Sequence, residues 1–174
     1  MRFIQRGIAG LLGMALVAVG SGCGSVVPIG DPADAVFVPE LVGEWQQITG
    51  PGERPARMTV LNFNDIEYYV ELREDGGPSE MDTLRVRAYI TRVNGTSFIN
   101  AQTIDSVEED ERRFFFFTFH LNRYGTLILR EVNDPGEGEE HAFETSEALR
   151  AFIRQNVHND ALYGESVAFV KQHE

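Results

Sequence analysis

Thr83-Leu84-Arg85-Val86-Arg87-Ala88-Tyr89-Ile90-Thr91-Arg92-Val93-Asn94-Gly95-Thr96 carries the clearest strand signal in the chain. Leu84, Val86, Ala88 and Ile90 alternate with Thr83, Arg85, Arg87, Tyr89 and Thr91. One face is apolar and the other polar, as an antiparallel sheet with a single core requires. Asn94-Gly95 then predicts a type I′ hairpin turn, because both residues accept the positive φ that this turn needs. The return strand is expected over 96–104.

Beyond this hairpin, 113–121 (RFFFFTFHL) reads as the most hydrophobic strand. Phe115, Phe117, Phe119 and Leu121 share one face, and Phe114, Phe116, Thr118 and His120 the other. The second face is partly apolar and calls for a cover. A turn at Asn122-Arg123-Tyr124-Gly125 leads to a strand over 126–132. Thr145-Ser146-Glu147 offers a helix N-cap with early negative charge. Ala148, Leu149, Phe152, Ile153 and Val157 follow at helical spacing, so this helix is the expected cover. A final strand is expected over 166–171.

On the N-terminal side, 66–73 (IEYYVELR) alternates Tyr68, Val70 and Leu72 against Glu67, Tyr69 and Glu71. Strands are also expected over 57–63 and 43–49. The total is eight strands, with one helix before the last. The expected fold is therefore mainly β, an antiparallel up-and-down eight-stranded barrel forming one domain over 41–174. Closure also removes the edges that a Phe-rich sheet would expose.

The first strand contains the sole Trp, in Leu41-Val42-Gly43-Glu44-Trp45. This run resembles the Gly-x-Trp opening of lipocalins and related calycin barrels. The resemblance implies that Trp45 lies across a closed barrel end, and that the barrel holds side chains or one small ligand. The chain departs from that pattern in three places. Asn122-Arg123-Tyr124 stands where lipocalins carry Thr-Asp-Tyr, the helix precedes the last strand, and no Arg on that strand can stack on Trp45. Lys171 is placed to take the Arg's position.

Residues 1–22 read as a secretory signal peptide. Arg2 and Arg6 form a basic start, and 7–20 is an apolar run too short to span a ~30 Å hydrocarbon core. Ser21-Gly22-Cys23 resembles the processing box of bacterial lipoproteins. The resemblance implies that Cys23, the only cysteine, becomes an acylated N-terminal residue carrying palmitate-type chains. Gly24 in place of an Asp implies outer-membrane sorting, facing the periplasm. Residues 23–40 contain Pro28, Pro32 and Pro39, and are expected to form a flexible, extended tether. The other reading packs Val36-Phe37-Val38 against the barrel as a short arm. The tether joins at the Trp45 end, which places the closed end on the anchor side.

Arg2 and Arg6 account for two of the 15 basic residues, so the chain from Cys23 onward holds 13 against 27 acidic ones, a net −14. Such a surface repels phosphate backbones and argues against nucleic acid. It also argues against polybasic attachment to anionic lipid, which leaves the lipid anchor as the membrane contact. His120, His141, His158 and His173 have no metal-ligand spacing. The acidic runs 108–111 and 137–140 lack the alternating pattern of a Ca²⁺ loop. Glu67, Glu71 and Asp82 could be imagined as an acid/base pair, but they fall on polar strand faces. No Gly-x-Ser-x-Gly elbow or Gly-rich phosphate loop is present.

The expectation is a non-catalytic, cofactor-free envelope lipoprotein whose barrel serves an interaction with an envelope protein or a structural role. The alternative is a binder of a small apolar, lipid-like ligand, and a weaker one is a periplasmic hydrolase-like enzyme. Trp45, Phe63, Tyr68, Leu84, Val86, Phe115, Phe117 and Phe119 are the residues expected to fill the core or to line an apolar pocket. So many large inward side chains favour a filled core.

Overall fold

The computed structural model describes residues 24–74, 83–104, 113–133 and 143–172. The leader, Cys23, Asp82, His141, His173 and the runs 108–111 and 137–140 lie outside the described residues. Eight strands follow in order: β1 (Gly43–Gln47), β2 (Ala56–Asn62), β3 (Glu67–Glu74), β4 (Thr83–Val93), β5 (Thr96–Thr103), β6 (Phe114–Leu121), β7 (Thr126–Val132) and β8 (Tyr163–Lys171). Each pairs antiparallel with the next, and β8 closes the barrel on β1 through Trp45↔Lys171, Gln46↔Val170 and Gln47↔Phe169. Helix α1 (Ser146–Asn156) precedes the last strand. The barrel and the helix placement are those expected.

Local chemistry explains most boundaries. Asn94 has φ 50° and Gly95 φ 82°, the paired positive values of a type I′ turn. Thr145 caps α1, its Oγ1 accepting from the Ala148 N–H at 3.2 Å. Leu149 and Ile153 bury one helix face against Val93, Phe98, Phe116 and Val132 on the outside of β4 to β7. The apolar outer face of β6 is thereby covered. β8 begins three residues earlier than the alternation indicates. Val132 pairs with Tyr163, and the register shifts between Arg130 and Val132 in a β-bulge opposite Gly164-Glu165. Gly and Glu are poor strand formers, so this start is hidden in the sequence.

The largest departure concerns the expected tether. Residues 24–40 are packed along the wall as an arm. Ser25 and Phe114 exchange two backbone hydrogen bonds of 3.0 and 2.8 Å. Ile29 is 0% exposed within the cluster beneath α1. Its N–H donates to Asn100 Oδ1 at 2.8 Å, and the Tyr89 hydroxyl donates to the Gly30 carbonyl at 2.8 Å. Further on, the Val36 N–H donates to the Ile90 carbonyl at 2.8 Å. Phe37 stacks on Tyr68 with ring centroids 5.1 Å apart. Prolines fix an extended shape without internal hydrogen bonds, so the barrel's own polar groups can meet the arm's backbone. Tyr89 and Thr91, expected on a wet face, are buried beneath it.

The arm also reverses the expected orientation. It starts beside the first residue of β6 and ends at the start of β1. In an up-and-down barrel those two positions are at opposite ends. Gly24 therefore lies at the end away from Trp45, opposite to the arrangement in which this segment joins at the Trp45 end.

Candidate ligand cavity

Trp45, 1% exposed, sits at the floor of the barrel. Its indole N–H donates to the Leu41 carbonyl at 2.9 Å, across a single 3₁₀ turn at Pro39–Leu41. Lys171 Nζ stands 5.2 Å from the ring centroid and donates to the Glu40 carbonyl at 2.9 Å. The cation expected over the indole is thus supplied by the last strand. Arm and floor are joined by Tyr68. The Val38 N–H donates to its hydroxyl oxygen at 2.6 Å, and that hydroxyl faces the Val38 carbonyl at 3.3 Å. Burial pushes the Tyr68 pKa up, which keeps this hydroxyl protonated and able to donate.

Above the floor lies an apolar cavity of about 150 Å³. Tyr68, Ile90, Leu127 and Phe169 close its lower part and are buried. Leu72, Leu84, Phe115 and Phe117 line its upper part and remain partly exposed. Among the described residues the barrel is therefore sealed at Trp45 and open at the far end.

Tyr68, Leu84, Val86, Phe115 and Phe117 line the cavity as the sequence indicates. Trp45 and Phe119 belong to the packed cluster at the floor instead. Phe63 corrects the reading. It is 54% exposed, outside the barrel, with the Arg87 guanidinium 5.1 Å from its ring centroid. It continues the outward series of Arg57, Thr59 and Leu61, since Ala56, Met58 and Val60 are the positions of β2 that turn inward.

The sequence reading missed the residues that create the space. Ala88 on β4 and Ala101 on β5 are cross-strand partners, and both line the cavity. Two methyl groups stand where neighbouring positions carry Ile90 and Ile99. The available signal was an Ala inside each of two inward-facing series, facing each other across a fixed hairpin register.

The carboxylates imagined as an acid/base pair are engaged on the outer wall. Glu67 is buried and holds Arg87 through two contacts of 2.7 and 2.6 Å. Glu71 pairs with Arg85 at 3.3 Å and accepts from the Tyr69 hydroxyl at 3.2 Å. A polar hollow of about 190 Å³ beside them is lined by residues including Glu44, Gln46, Arg57, Thr59 and Arg73. Among the described residues no three His, Cys, Asp or Glu side chains converge as metal ligands.

Glu131 is another inward-facing group that the sequence reading passed over. It is the cross-strand partner of cavity-lining Phe117, one inward step beyond Leu129, and burial raises its pKa.

Fold and site together define a closed eight-stranded antiparallel barrel whose apolar interior, among the described residues, opens at one end. No family model matches the chain, and no curated protein or solved structure matches it either.

Proposed function

We propose that this protein is a non-catalytic, lipocalin-like barrel that binds a small apolar ligand and is held in a bacterial envelope as a lipoprotein. The observation that carries the ligand reading is the apolar cavity, sealed at Trp45 and, among the described residues, open at the other end. Apolar cavities of roughly 150 Å³ stay dry and accept benzene-sized guests. The ligand is thus a single ring or a short acyl segment. Residues 1–22 and Cys23 support the envelope reading: lipidation at Cys23 would tether the barrel to the membrane, outer-membrane sorted and facing the periplasm.

A second reading, a structural barrel or one that contacts an envelope protein, draws on the cavity's size. Drug-sized ligands occupy pockets of roughly 300–1,000 Å³, well above the volume here. Toluene and 1-hexanol, titrated into the domain and followed by methyl NMR, separate the two readings. Saturable shifts at Leu84, Ile99 and Leu129 are expected. Ala101→Leu should abolish them while leaving the fold intact, because its added methyl groups fill the space opposite Ala88. An absence of saturable shifts in the native chain would leave the structural reading.

A further inference from the structure

We infer that Glu131 sets the ligand class: the cavity takes apolar molecules with an uncharged or cationic head and rejects alkyl carboxylates. The inference rests on the ligand-binding reading above. It begins with register. Leu127 and Leu129 line the cavity from β7, and Glu131 is the next inward position on that strand. Its partner across the sheet is Phe117, itself part of the lining. A guest lying along Leu129 and Phe117 therefore brings its outer end to the Glu131 carboxylate.

The surroundings leave that carboxylate unanswered. No hydrogen-bond or ion-pair partner meets it among the described residues. On the β8 side the bulge places Gly164 beside it, where an added Cβ would come 3.7 Å from Glu131 Cβ. A bulge at a barrel rim commonly re-aims a side chain, and the residue here has no side chain to cover the carboxylate. The nearby charged groups do not neutralise it. Glu165 on β8 has the same sign and is exposed. Arg113, four residues before Phe117 on the β6 side, already has a partner. Arg130 lies on the outer wall, held by Asp160 at 3.3 Å and the Gly164 carbonyl at 2.9 Å.

A half-buried carboxylate without a partner is poorly solvated, and burial alone accounts for its raised pKa. An ammonium or hydroxyl head supplies the missing donor. A carboxylate head instead sets two like charges together in a region of reduced dielectric, inside a chain whose formal net charge is −12.

The test is a set of three six-carbon probes: hexylamine, 1-hexanol and hexanoate, at pH 8 and moderate salt. Hexylamine and hexanol are expected to bind, with hexanoate weaker than hexylamine by about tenfold or more. Glu131→Gln should bring the two charged probes within about twofold of each other while hexanol is little changed. Glu131→Ala, which removes the group altogether, should behave the same way. Equal affinities in the native chain overturn the inference while leaving the cavity reading intact. So does a preference that survives in both variants. Binding of none of the three overturns the cavity reading and this inference with it.

Discussion

Asn100 shows how a single polar side chain sets the course of a distant segment. It is fully buried and accepts from the Ile29 N–H 71 residues away, while its amide donates to Thr91 Oγ1 at 3.1 Å. Buried polar groups are costly unless paired, so the pairing fixes where the arm lies. Asn100→Leu leaves a buried N–H and a buried hydroxyl unmet and is expected to cost about 1–3 kcal/mol per orphaned group. Urea denaturation measures the loss, and amide exchange at Ile29 should rise with it. Glu131 has the opposite energetic sign. Its folded pKa lies above the unfolded value, so the folded state binds its proton more readily. Its contribution therefore favours folding below the unfolded pKa and is lost as pH rises through the folded one. Glu131→Gln should be more stable than the native chain at pH 7, with a flatter pH dependence of the denaturation midpoint. A variant less stable at pH 7 would refute that account. Neither role was visible from residue type alone: Asn100 sits in an ordinary return strand, and Glu131 becomes inward-facing only once its pairing with Phe117 is fixed.

At the scale of elements, α1 and the arm share one task. Both cover the apolar outer surface of β4 to β7, and Leu149, Ile153 and Ile29 meet there with Phe98 and Phe116. Leu149→Ala removes buried contacts from that shared cluster and should cost roughly 2–5 kcal/mol in chemical denaturation. A loss below about 1 kcal/mol would mean that the helix is not part of the cooperative core. The helix was legible because its cap and its 3.6-residue period are local signals. The strands were legible for the same reason, since alternation and Asn94-Gly95 need no knowledge of distant partners. The arm was not. Its composition reads as a free linker, and the groups that hold it (Asn100, Tyr89, Ile90 and Phe114) are spread over three strands. Long-range pairing of that kind leaves no periodic trace in the segment itself.

For the whole molecule, the barrel was readable from the count of strands, but its hollow was not. Volume depends on which side chains face one another, and here two small ones do while Phe63 points away. The proposed membrane attachment is tested on the whole chain. Cys23→Ser is expected to move the protein from the membrane to the soluble fraction on envelope fractionation. A variant that stays with the membrane would show that lipid on Cys23 is not what holds the protein there.

The docking of Ser25 onto Phe114 carries a further consequence for traffic in and out of the barrel. A Cβ on Gly24 would lie 3.3 Å from Phe115 Cε1, a side chain of the cavity's upper wall. Among the described residues, Gly24 thus stands at the lip of the cup. Anything that grips the protein by that point holds it mouth inward, with the indole floor turned away.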